Sequence, residues 1–249
     1  MDGNLAVLCG TALSVGFVHT LLGPDHYLPF VALSRIRGWS LKKTAFVTLL
    51  CGMGHVLSSV VLGVIGITFG VAVLKLERIE QYRGELAGWL LLAFGLVYFV
   101  WGVRRGICNR PHIHRHAHAD GTLHTHEHAH FGGHAHVHVG PAERRANTSG
   151  DAAKQTDSVT PWVLFTVFLF GPCEPLIPLL MYPAAKGRMS DVVVVATLFG
   201  VTTLATMTTI VLLSCAGVSR APFEKPVRYG HALAGLVLVA CGAAVKAGW

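Results

Sequence analysis

Residues 16–29 read GFVHTLLGPDHYLP, and residues 165–178 read FTVFLFGPCEPLIP. Each is an apolar run cut by Gly-Pro. Proline lacks a backbone N–H and clashes with the preceding turn, so a helix entering either stretch should break near Gly23 or Gly171. The two breaks also match each other. Gly23-Pro24-Asp25-His26-Tyr27-Leu28-Pro29 aligns with Gly171-Pro172-Cys173-Glu174-Pro175-Leu176-Ile177-Pro178, the second proline falling one place later. Each break lies in the first of three apolar spans of its half of the chain. Two halves of three helices necessarily run in opposite senses, so the match predicts an inverted 3+3 repeat with broken first and fourth helices.

The surrounding composition supplies the solvent. The chain of 249 residues is 52% hydrophobic and only 13% charged, with a mean hydropathy of +0.54. A water-soluble domain carries roughly 25% charged residues. Charges cluster at Arg35–Lys43, Lys75–Glu85, Arg104–Lys154, Lys186–Asp191 and Arg220–Arg228. Between them lie six predicted spans, at 4–33, 41–70, 85–103, 159–183, 190–218 and 228–247. At ~1.5 Å per residue these can cross a hydrocarbon core of ~30 Å. The expected organisation is an all-α integral membrane protein of six transmembrane helices: a first three-helix repeat over 1–103, a His-rich loop over 104–158, and a second repeat over 159–249. Fourteen of the 20 Lys and Arg fall on the side of the central loop. The positive-inside rule then places that loop in the cytoplasm and both termini outside, in a multi-pass inner (cytoplasmic) membrane protein. The formal charge of +7 reflects this asymmetry rather than nucleic-acid binding. The six cysteines show no CxxC spacing and imply no disulfide framework, and the N-terminus MDGNLAV lacks the basic region of a cleaved signal.

Two groups of residues carry chemistry. The central segment HIHRHAHADGTLHTHEHAHFGGHAHVH holds eleven histidines: His112, His114, His116, His118, His124, His126, His128, His130, His134, His136 and His138. Alternating His-x-His offers no apolar face for a packed core, so a disordered loop is expected. Dense neutral imidazoles suit divalent transition metals. Within the spans, His19, Asp25 and His26 flank the first break. An Asp at the centre of a membrane helix costs roughly 2.5–3.5 kcal/mol on insertion scales, so it calls for a function or a partner. Carbonyls ending the first half-helix, the carboxylate and two imidazoles together suit a borderline divalent ion. Cys173 and Glu174 occupy the matching break. Glu174 reads as a ligand or proton-coupling group, and Cys173 as either a ligand or a buried thiol. His55, in CGMGHVLSS of the second span, is a further candidate ligand or gate.

HTLLGPDH resembles the His-x4/5-Asp-His signature of the nickel/cobalt transporter group and its urease-accessory-type relatives. The six-span layout with a central His-rich loop looks most like the nickel/cobalt efflux branch, and GMGH is in keeping with it. The resemblance implies that His19, Asp25 and His26 select the metal. Gly23 stands where the fuller RHAxDADH form of nickel permeases has a second Asp, which speaks against high-affinity uptake. GPCEPLIPLLMYP also resembles the repeat of membrane thiol reductases of cytochrome c biogenesis, which carry one cysteine in each half; here Asp25 stands at the counterpart of Cys173.

The expected function is therefore not enzymatic. It is secondary transport of Ni²⁺ or Co²⁺ as substrate, with no permanently bound cofactor, through a site of His19, Asp25, His26, His55, Cys173 and Glu174. No nucleotide-binding loop or P-type phosphorylation motif points to ATP coupling. The partners implied are the metal ions and the lipid bilayer, with room for a cytoplasmic metallochaperone at the loop and none for nucleic acid. The rivals are a thiol–disulfide electron-transfer protein and a transporter of an anion or amino acid.

Overall fold

Both Gly-Pro dipeptides break their helices. In the computed structural model, which describes residues 3–108, 112–117, 123–128, 151–219 and 229–248, helix α1 (Gly3–Leu22) stops at the first break. A single 3-10 turn, Pro24–His26, follows, and α2 (Leu28–Ile36) resumes the path. Helix α5 (Asp151–Phe170) stops at the second, and α6 (Leu176–Ala185) resumes beyond it. The short helices close alike. After α2, Gly38 takes φ 61° and the N–H of Trp39 reaches back to the carbonyl of Ser34 at 2.9 Å. After α6, Gly187 takes φ 69° and the N–H of Arg188 reaches the carbonyl of Pro183 at 3.0 Å. A positive φ without a Cβ penalty is what this helix-ending turn requires. Each turn launches a long helix, α3 (Leu41–Thr68) or α7 (Met189–Ser219), and each half ends with another, α4 (Val73–Cys108) or α8 (Gly230–Lys246).

Among the described residues, four helices are long and apolar enough to cross a membrane: Asn4–Leu22, Leu41–Thr68, Val73–Cys108 and Met189–Gly217. The fourth expected span is divided into the apolar pieces Thr160–Phe170 and Leu176–Ala185, and the sixth is the 17-residue α8. The largest departure from expectation is α4. Its 36 residues begin at Val73, not at 85, and run about 54 Å. The charge cluster of Lys75–Glu85 read as a connecting loop. Instead, Leu76, Glu80, Gly84, Ala87 and Leu91 are buried at helical spacing, while Lys75, Arg78 and Glu85 face outward. The stripe continues through Gly95, Tyr98, Gly102 and Gly106.

Packing pairs the halves in a crossed pattern. α1 packs on α7, and its counterpart α5 packs on α3. α3 meets α7, α4 meets α8 along much of their length, and α2 on α8 is mirrored by α6 on α4. The α4–α8 pair comes closest. A Cβ built on Gly95 would lie 2.7 Å from the backbone nitrogen of Val239, and one on Gly242 would lie 2.8 Å from that of Leu92. Small residues let backbones approach in this way, which favours association where lipid removes any hydrophobic drive between helices.

The expectation of a structureless central loop differs from the backbone found in part of it. Strands β1 (His112–Ala117) and β2 (Leu123–His128) pair antiparallel, with His112 opposite His128, His114 opposite His126 and His116 opposite His124. The period of two in His-x-His is that of a strand. His118, His130, His134, His136 and His138, and the Arg220–Arg228 loop, lie outside the described residues.

Because added atoms at the α4–α8 crossing must displace backbone, Gly95→Ala should lower the melting temperature of the detergent-solubilised protein by roughly 2–10 °C. Gly10→Ala, where nothing lies within 4 Å of the added methyl, should leave it unchanged or slightly raised. Equal melting temperatures for the two variants would refute the close crossing.

Candidate metal centre

Three elements deliver one imidazole each to the same place. His19 lies in the last turn of α1, His26 ends the 3-10 turn, and His55 lies midway along α3. Each offers a ring nitrogen within 4.8 Å of the other two. The His26 ring stands edge-on to both neighbours, with centroids 4.9 Å from His19 and 5.1 Å from His55, while His19 and His55 lie parallel at 6.5 Å. His26 and His55 are buried and His19 is half-buried.

The hydrogen-bond partners decide which nitrogens are available. His26 Nδ1 lies 3.2 Å from the carbonyl of Gly23 and 3.2 Å from Asp25 Oδ1. Both partners only accept, so Nδ1 carries the proton and Nε2 presents its lone pair. That Nε2 is buried with no partner, as are His19 Nε2 and both ring nitrogens of His55. An unpaired buried polar group typically costs about 1–3 kcal/mol, and one nitrogen from each of the three rings lies within 4.8 Å of the other two, a donor set that a single cation can share. One ion with bonds of ~2.1 Å holds its nitrogens roughly 3.4–4.2 Å apart, so small side-chain rotations close the observed spacing. Beside His26 and His55 lies a cavity of about 30 Å³, walled also by Asp25, Phe168, Gly171 and Pro172. It is the size of a single water or ion.

Both Gly-Pro glycines touch this cluster. A Cβ on Gly23 would collide with His26 Nδ1, and one on Gly171 would lie 2.9 Å from His55 Nδ1. The breaks therefore seat the imidazoles as well as interrupt the helices. Of the residues expected at the site, the structure brings together His19, His26 and His55. Asp25 contacts His26 from behind, as the outer carboxylate that orients many metal-binding histidines. Cys173 and Glu174 are not brought into the group. Cys173 is fully buried against Ala12, Leu176, Leu180, Val195 and Phe199, and Glu174 is exposed. His231 of α8, outside the group, pairs with the Tyr98 hydroxyl at 2.8 Å.

Sequence reasoning missed the polar anchor of the second break. Glu80 of α4 is fully buried and bonded to Arg83 Nη1 at 2.6 Å. Its other oxygen accepts the backbone N–H of Cys173 at 3.2 Å. Arg83 donates to Ser58 Oγ at 2.5 Å, Ser59 Oγ at 3.3 Å, the carbonyl of Leu169 at 2.9 Å and that of Gly171 at 3.5 Å. The available signal was the buried stripe of span three, which extends back through Gly84 and Glu80 to Leu76.

Compared with protein-family models, curated proteins and solved structures, the chain matches none.

Proposed function

We propose that the chain moves divalent transition-metal ions, Ni²⁺ or Co²⁺, across the cytoplasmic membrane as a secondary transporter, binding them between His19, His26 and His55. The observation that carries this reading is the convergence of unpartnered, buried imidazole nitrogens at a helix break deep among apolar helices. Imidazole suits borderline ions of this series, and Asp25 fixes the tautomer of His26. Six membrane passages in an inverted repeat fit this function, because transport sites form where broken helices of two such halves meet. The shared order of break, short helix, glycine turn and long helix supports the repeat, as does the crossed packing of α1 on α7 and α5 on α3. On this reading both termini are outside. The histidine loop is cytoplasmic, where it gathers metal or exchanges it with a metallochaperone, and it tunes sensitivity while the helical site does the translocation. A thiol relay is less consistent with Asp25 at the counterpart of Cys173.

In vesicles of known orientation, His26→Ala or His55→Ala should abolish saturable Ni²⁺ and Co²⁺ movement. Asp25→Asn should weaken half-saturation by roughly 10–100-fold, the usual range for losing an orienting carboxylate. Glu174→Gln should stay within about twofold, since surface changes away from the site cost little. Unchanged movement after loss of His55 would sink the assignment. Replacing the six ribbon histidines by Ser should shift the metal concentration dependence yet preserve the maximal rate, and loss of all movement would instead place the essential site in the loop.

A further inference from the structure

Resting on the transport reading above, we propose that the Glu80–Arg83 pair of α4 is a latch that holds the second break shut over the ion cavity, and that its release opens that cavity. The cavity beside His26 and His55 is closed on one side by Phe168, Gly171 and Pro172. That wall runs from the last turn of α5 into the break, where the N–H of Gly171 reaches the carbonyl of Phe168 at 3.0 Å and the groups beyond lean on side chains of α4. What holds it is the ion pair. Arg83 grips the carbonyls of Leu169 and Gly171, Glu80 grips the N–H of Cys173, and Ser58 ties the same guanidinium to α3 one turn from His55. Ser58 in turn donates to the carbonyl of His55 at 2.8 Å. The ligand-bearing helix and the cavity wall are thus joined through one side chain.

Space for movement lies behind the wall. A groove of about 440 Å³ lined by Ser58, Val61, Arg83, Leu169 and Phe170 borders the same segment on its other side. Residues 168–171 therefore separate an ion-sized cavity from a shallow outer groove between α3 and α5, into which the segment can shift. A buried ion pair is a poor source of net stability, because desolvating two charges offsets their attraction. It is a good two-state element, since its several charge-assisted bonds form and break together. Gly84, whose Cβ would lie 2.8 Å from Pro172, lets α4 approach closely enough for the clamp to reach.

The fully buried Cys173 reports on the latch. In the full-length protein in vesicles, a small methanethiosulfonate reagent is applied and the modified cysteines are identified by peptide mass spectrometry. Arg83→Gln and Glu80→Gln should raise the labelling rate of Cys173 by roughly tenfold or more through local opening, with Arg83→Lys returning it to within about threefold. Cys51 and Cys241, buried elsewhere in the core, should stay protected. The maximal rate of Ni²⁺ movement should change by roughly fivefold or more while half-saturation stays within about twofold, as befits a group acting on a gating step rather than on binding. Continued protection of Cys173 overturns the latch, and so does exposure without any change in rate. Simultaneous exposure of all three thiols, including in Arg83→Lys, also overturns it by reducing the pair to a prop of the fold. If the wild-type protein moves neither Ni²⁺ nor Co²⁺, the transport reading falls and the gate falls with it, whatever the labelling shows; unaltered labelling in a wild type that transports defeats the latch alone.

Discussion

A backbone broken among apolar helices must find new partners for the groups it frees, because lipid offers none. The two Gly-Pro breaks solve this with side chains, and the solution sets the rest of the architecture. At the first, the carbonyl of Gly23 is taken by the N–H of His26 and approached by its Nδ1. At the second, Arg83 and Glu80 reach across from α4 to cover two carbonyls and an N–H. One break thereby turns an imidazole toward a shared centre, and the other fixes a wall beside it.

The two devices differ in charge but serve one geometry. His19, His26 and His55 bring only neutral-capable nitrogens, and the carboxylate of Asp25 stands one hydrogen bond behind His26. The formal charges of Glu80 and Arg83 are kept on the far side of the wall and neutralise each other. On the proposed reading, a divalent ion at this centre meets lone pairs directly, with the Asp25 carboxylate close enough to favour it.

Much of this was legible in the sequence, and for stated physical reasons. Proline chemistry located both breaks to the residue, and the matching motifs located their counterparts. His19 and His26 could be paired because they flank one break. His55 could be suspected, though its arrival at the same point depends on how α3 packs. Three features were hidden. Charge clustering normally marks loops, so the reach of α4 back to Val73 was obscured by Lys75 and Arg78, which face outward along a helix whose other side is buried. Cys173 and Glu174 align with Asp25 and His26, but alignment does not preserve direction: the second break turns the thiol into an apolar cluster and the carboxylate outward. The close glycine crossing of α4 and α8 depends on Gly95 meeting Val239 and Gly242 meeting Leu92 across roughly 145–150 residues of chain, pairings no local pattern encodes.

The most direct test of the central claim is anomalous diffraction at the cobalt edge from crystals of the full chain grown with Co²⁺. The expected result is a peak bonded at ~2.1 Å to ring nitrogens of His19, His26 and His55, with Asp25 retaining its contact to His26. Cobalt found solely among the loop histidines, with the three helical imidazoles empty, would contradict it.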